Sequence, residues 1–434
     1  MSLFRASATQ TNLEPWPGVW MTGYGARTKP AEGTHDPIMA RALMIDADGV
    51  FFVIVSCDLL GIGTQDVNDI RRCIHQRAGI PESAIMVAGT HTHSGPATQY
   101  QRGVMGVLNP EWLAKAKEKI VEAVCTLPGK LEPATFSYAK SKIEGFGYNR
   151  ADKTRTIDED FIVFSVDSWA GTNIATLINF STHAVTMGPK NLLFSGDFPG
   201  AACRKLSETR GGIGLYLAGA GGDADPVINR DRGWGTGTFE DVEAFGNMLA
   251  GKADELLGSA QKVCTVKIKT LSRTVDMPMA EPVSDDELAG LIAEYESAIA
   301  KAGEAGKTSI ESAMLVWAND LKNAIHNNSV PKTTPVEIFA AKINDFSLVG
   351  VPVEPYSDIA LAVKADMSPS VCAFVGYSNG LYCYIPAKWE YEQGGYASTA
   401  YRWFEGMMTG FCEDADSRLV SAVAEIFSQM DAQE

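Results

Sequence analysis

The segment Val50–Leu60, VFFVIVSCDLL, constrains this chain more than any other. Its apolar residues do not alternate with polar ones, so as a strand it has no face to offer water and must be buried on both sides. ARALMID, residues 40–46, precedes it across an Ala-Asp-Gly turn and completes a hairpin. A helix is expected over Asp66–Arg77, with Val67, Ile70 and Ile74 at helical spacing and Gly79 as its stop, before a short strand at Ala84–Ala88. The order recurs: a helix over Glu111–Cys125, strands near Phe161–Val166 and Ile174–Phe180, a helix from Gly200, and a strand at Ile213–Leu217. This alternation predicts an α/β fold of the mixed α+β kind, a large mixed-sheet core with flanking helices.

Ser284–Ile325 breaks the pattern with two amphipathic helices in succession. Ser284 and Glu287 fit a capping box, and Leu288, Leu291, Ile292, Tyr295 and Ile299 form one apolar stripe. Ile310, Met314, Trp317, Leu321 and Ile325 form a second, after a turn at Ala302–Gly306, so residues 284–326 read as a helical hairpin inserted into the core. Strands return at Val336–Ala341 and Phe346–Val351, and a helix around Ser417–Met430 closes the chain.

Composition excludes several classes of function. With 45% apolar and 21% charged residues the chain is globular rather than disordered or fibrous. Its net charge of −16 repels phosphate backbones and anionic lipid, so neither nucleic acid nor stable membrane association is expected. Arg5, Asn12, Glu14 and Pro15 interrupt Met1–Thr22 and leave no apolar core for a secretion signal, and no window approaches the roughly 20 apolar residues of a membrane span. A soluble, cytoplasmic protein is the expectation. The eight cysteines are scattered without a CxxC pair, which fits reduced thiols.

Histidine is scarce, six in the chain, yet two fall in Thr90-His91-Thr92-His93-Ser94-Gly95-Pro96 directly after a buried strand. Ligands gather where strands of α/β proteins end, and on an extended backbone residues i and i+2 share a face, so both rings can serve one site; two polar residues in a surface turn is the plainer alternative. His183 ends a second apolar strand, and imidazoles from separate strand ends are a usual start for a zinc site. His75 and His326 read as surface residues, and His35 is ambiguous. Gly219-Ala220-Gly221-Gly222-Asp223-Ala224 formally matches a dinucleotide fingerprint. That motif needs a helix at once, whereas Asp225 and Pro226 follow, then a second loop at Asn229–Gly233; nucleotide binding is therefore rejected. A loop this acidic suits positioning a substrate hydroxyl or buttressing a histidine.

Together these motifs resemble the neutral ceramidase family, the neutral/alkaline non-lysosomal ceramidases, in their N-terminal catalytic domain. The resemblance rests on THTHSGP (90–96), FSTHAVTMGPKNLLFSGDFPGAA (180–202), GYGAR and THDPIMARAL near the start, YNR (148–150), GDADP (222–226), VPVEP (351–355) and YIPAKWEYEQGGY (384–396), in order over about residues 15–400. It implies one catalytic domain over 1–434 and a single catalytic zinc, held by His91, His183, Glu354 and Tyr384. It also implies His93 as proton acceptor near the zinc-bound water, Arg150 polarising the carbonyl oxygen, and Tyr396 donating to the developing oxyanion. Residue types alone would also admit manganese or iron.

The chain departs from the family at 222–227, where Gly-Asp-x-Ser-Pro-Asn is replaced by Gly-Asp-Ala-Asp-Pro-Val. Asp225 thus stands where the family carries a serine in this substrate-side loop, and is a candidate catalytic residue. The chain also ends before the immunoglobulin-like C-terminal domain of full ceramidases. The expected function is zinc-dependent hydrolysis of an amide in a small soluble or ceramide-like N-acyl substrate. Lactone or ester hydrolysis at the same site is the alternative, and a non-catalytic binding protein the remaining one.

Overall fold

A computed structural model describes residues 4–303, 310–404 and 406–432. The expected mixed architecture is present. Eight strands form one sheet in the order Ile213–Ala218, Asn173–Phe180, Asp160–Ser168, Glu132–Lys142, Phe4–Asn12, Met39–Ala47, Val50–Cys57, Ile85–Gly89. Its interior pairs are antiparallel, while the outermost pair at each edge is parallel. A second sheet orders Ile268–Pro278, Thr333–Ile343, Phe346–Gly350, Val371–Val375.

The sheets face each other across an apolar layer in which Phe52 meets Phe339, with Phe136, Phe164 and Phe346 beside them. Period-two alternation decides the rest: Ile162, Phe164 and Val166 enter this layer, while Phe161 and Val163 point outward, where Phe198, Leu206 and Leu249 of the helices Asp197–Arg210 and Phe239–Leu257 cover them. Thr64–Ala78 and Pro110–Cys125 cover the other outer half through Ile70, Ile74, Trp112 and Ile120. Each such side chain removed from water contributes roughly 1.5–3 kcal/mol. No helix among the described residues is long and apolar enough to cross a membrane.

Several local expectations need correction. The helix expected from Gly200 begins at Asp197, three residues earlier, because Asp197 turns the chain at φ 53° and its carboxylate accepts from Phe198 N–H. Residues 229–233 are not all loop, since Val227–Asp231 is a short helix. Of the box at Ser284 one half is observed: Ser284 Oγ accepts from Glu287 N–H and caps Asp285–Ala302. A reciprocal box occurs instead at Thr238 and Asp241, heading the helix Phe239–Leu257, which the sequence pattern did not predict. The hairpin helices Asp285–Ala302 and Ile310–His326 pack through Leu288, Trp317 and Leu321, while Ile310, assigned to that stripe, is exposed. The turn expected at Ala302–Gly306 lies beyond Gly303 outside the described residues. All eight cysteines are free, as expected.

Candidate metal centre and active site

The parallel strands end on one side of the molecule, and the chemistry-bearing residues follow those ends. His91 comes two residues after Gly89, His183 three after Phe180, Gly221 three after Ala218, and Glu354 four after Gly350. The segment Gly376–Asn379, beyond Val375, joins the two edges of the large sheet. Gly376 N–H donates to Ala218 O at one edge, while Tyr377 O and Val87 O accept from Gly89 N–H and Asn379 N–H at the other. The two edges of an eight-stranded sheet are thereby brought around a common point.

The backbone at His91 is not extended as expected. Its φ is 62°, and its N–H donates to Leu59 O. His91 and His93 nevertheless reach one site, because this turn together with the pairing of Thr92 beside Ala184 replaces the extended register. His91 Nδ1 lies 2.8 Å from Leu60 O, and His183 Nδ1 contacts Gly221 O. A carbonyl only accepts, so Nδ1 of each ring carries a proton, and the neutral form of the ring leaves Nε2 bare. The bare atoms face each other at 3.0 Å and lie 3.3 Å and 3.6 Å from Glu354 Oε2. All three residues are buried.

Burial, reinforced by the Arg150 charge, lowers the His183 pKa to about 4. With the rings in these tautomers, three lone-pair atoms converge with no proton between them. Tetrahedral donors at about 2.0–2.2 Å from an ion stand about 3.3–3.6 Å apart, which matches both imidazole–carboxylate separations and lies just above the 3.0 Å between the two rings. The donor set fits a divalent cation of the zinc type.

His93 joins the cluster, its Nε2 3.5 Å from His91 Nε2. It differs in one respect: its Nδ1 has no hydrogen-bond partner among the described residues, so no carbonyl fixes its tautomer. Burial and its two imidazole neighbours hold its pKa well below the ordinary value, and it is neutral at pH 7. Its backbone is secured, with N–H donating to Ala184 O and carbonyl accepting from Arg27 Nη2 at 2.9 Å.

Tyr384 stands beside Glu354 because Glu354–Pro355 and Tyr384–Ile385 pair in parallel register, Glu354 opposite Tyr384. Arg150 Nη2 donates to the Tyr384 oxygen at 3.0 Å, and Nη1 lies 3.3 Å from Asp225 Oδ1. Burial and the Glu354 charge raise the Tyr384 pKa well above 10, against which Arg150 favours phenolate. Asp223, reached by no specific expectation, accepts from Ser357 N–H and Oγ and from Asn149 Nδ2, and burial pushes its carboxyl up to about 6. Tyr396 is exposed at the rim, its ring 5.9 Å from that of Tyr384. Of the remaining histidines, His75 and His326 are exposed, and His35 stacks on Phe239 away from the cluster.

A cavity of about 660 Å³ opens onto this arrangement. His93, Arg150, Asp225, Glu354 and Tyr384 face it, and Trp234, Ile310, Trp403 and Phe404 supply apolar wall. The sequence-predicted site residues are therefore brought together. Glu354 and Tyr384 carry no signal of their own, since a glutamate between prolines and a tyrosine in a strand are ordinary.

Comparison with known proteins agrees with the motifs. Residues 14–213 match the family model described as neutral/alkaline non-lysosomal ceramidase, N-terminal. The chain is 24% identical over 452 aligned positions to the neutral ceramidase of Pseudomonas aeruginosa, covering 88% of this chain and 67% of that protein. It is 28% identical to the neutral ceramidase of Mycobacterium tuberculosis over 229 positions, 46% of this chain and 34% of that one. The crystal structure of the Pseudomonas aeruginosa enzyme superposes with a TM-score of 0.74 at 20% identity, covering 98% of this chain and 74% of that chain. A ceramidase complexed with C2 gives the same score at 18% identity. The fold is shared, and over residues 14–213 the sequence is similar to the neutral/alkaline non-lysosomal ceramidases.

Proposed function

We propose that this chain is a metal-dependent hydrolase of the ceramidase type that cleaves an N-acyl amide bond. The observation that carries the reading is the convergence of two bare imidazole nitrogens on the Glu354 carboxylate, which faces an apolar-walled cavity. His91, His183 and Glu354, with Tyr384 beside them, would hold one zinc ion. Bound zinc supplies Lewis acidity toward a carbonyl oxygen and a water whose pKa falls to about 7.

The chain's own residues account for the rest. The apolar wall of Trp234, Ile310, Trp403 and Phe404 takes an apolar part of the substrate and excludes water from the reacting carbonyl. His93, neutral and with no fixed tautomer, accepts the proton of the attacking water and returns it to the leaving nitrogen. Arg150 donates to the Tyr384 oxygen and places positive charge beside the carbonyl oxygen, and Asp225 fixes the guanidinium. Tyr396, at the rim, donates to the oxyanion as it develops. The relatives are named as ceramidases, so an amide is the first substrate to test; esters and lactones present the same electrophilic carbon.

The test is turnover of N-acyl amides, short-chain ceramides included, by protein stripped of metal and reloaded with zinc. About one zinc per chain should restore activity. Turnover unaffected by full metal removal, or none on any amide, ester or lactone with zinc bound, sinks the reading.

A further inference from the structure

The donor residues stand on segments far apart in sequence, and Tyr377 adjoins those of His91, His183 and Glu354. Its N–H donates to Val353 O, next to Glu354, and its carbonyl accepts from Gly89 N–H, two residues before His91, both at 3.1 Å. Its ring lies flat on the His91 imidazole, centroids 3.8 Å apart and planes 23° from parallel. On the third side its hydroxyl rests against Gly221, whose carbonyl holds His183: a Cβ there would stand 3.0 Å from the Tyr377 oxygen. The residue is 1% exposed and sits at φ 54°, a region that bulky side chains rarely occupy.

No hydrogen bond explains the choice of tyrosine, since the buried hydroxyl has no partner among the described residues. The flat face does explain it. The Nδ1 contact with Leu60 O alone leaves the His91 ring able to rock about that bond, and a planar neighbour in contact removes the rocking.

We propose that Tyr377 is a positioning residue of the metal centre: its ring, pinned by a left-handed backbone tied to both flanking donor segments, fixes the plane of His91 so that Nε2 aims at His183 and Glu354. This rests on the metal-centre reading above.

The test compares Tyr377→Phe, which keeps the planar face, with Tyr377→Leu, which does not. Zinc affinity is measured by competition with a chromophoric chelator, ligand geometry by the visible band of the cobalt-loaded protein, and integrity by thermal unfolding of the metal-free form. Tyr377→Phe should bind zinc within about threefold of wild type with an unchanged cobalt band, and Tyr377→Leu at least about tenfold more weakly with an altered band. Should Tyr377→Leu fail to unfold cooperatively, Tyr377→Met serves in its place. Equal affinity in the non-planar variant overturns the proposal, as does a Phe variant as weak as Leu, which would assign the effect to the hydroxyl. A wild-type protein that binds no zinc defeats the metal reading itself, and with it this role, before any variant is made.

Discussion

Gly23→Ala separates proton transfer from metal binding. Gly23, in the GYGAR stretch, has φ +97°, and a Cβ there would stand 2.4 Å from His93 Nδ1 and 2.5 Å from Cγ. Ordinary carbon contacts begin near 3.5 Å, so the imidazole must retreat by about 1 Å. The His93 backbone is held by Ala184 and Arg27, which leaves rotation of the ring as the available response. Its Nδ1 has no hydrogen bond to lose among the described residues, and the carbonyls that lock His91 and His183 are untouched. An alanine forced into the left-handed region costs roughly 1–2 kcal/mol of stability. Displacing a proton-transfer group by about 1 Å costs on the order of 100-fold in kcat. Denaturant unfolding, metal analysis by mass spectrometry and steady-state kinetics should therefore show a modest loss of stability, unchanged zinc content and kcat down by about two orders of magnitude. Unchanged kcat would remove His93 from proton transfer; zinc lost together with activity would make it a metal donor instead.

His183→Ala removes one of the two bare nitrogens and should reduce bound zinc to less than about a tenth of wild type, read by metal analysis after dialysis; full retention refutes the donor assignment. Tyr396→Phe should lower kcat by about 10- to 100-fold while KM and zinc content hold, and an unchanged kcat removes its oxyanion role. Asp223 gives a pH signature. Its carboxyl titrates near 6 in the fold against an ordinary value of 3.8, so the stability it contributes is fully present below about pH 4 and is lost as pH rises through about 6. The unfolding free energy of metal-free wild type minus that of Asp223→Asn should accordingly fall between pH 4 and 7, by at most about 3 kcal/mol. A difference that grows with pH would show that the Ser357 and Asn149 hydrogen bonds dominate over burial.

His91 and His183 are legible because a scarce titratable residue just after a buried, largely apolar strand adds nothing to the packing there, and strand ends are where such a fold gathers its chemistry. Glu354 and Tyr384 become visible only through the family resemblance: their meaning lies in a two-residue parallel pairing, a contact that periodicity does not encode. Tyr377 leaves no trace at all, since its role depends on a left-handed backbone between two sheet edges. The expected extended backbone at His91 fails for a related reason, because hydrogen bonds to Leu59 and Leu60 override local preference. Phe4–Asn12 is hidden because its polar residues outnumber the apolar ones, with only Phe4 and Ala6 fully buried in the apolar layer. Ile310 follows a helical stripe correctly in sequence, yet the first turn of its helix projects past the core to the cavity.

The segment Gly376–Asn379, which ties one edge of the large sheet to the other, also bears on how the molecule folds. Its partners lie at 351 and 353 nearby in sequence and at 87, 89 and 218 far from it, so joining the last three requires closing very long loops of chain. Such contacts form slowly, and an intermediate can have every strand paired with its sequence neighbour and still leave the edges apart. In that state His91 and His183 are not yet opposed, and the intermediate has no high-affinity place for zinc. Metal would then bind the native state alone, and each tenfold in free zinc above Kd adds about 1.4 kcal/mol to global stability while leaving early folding rates unchanged.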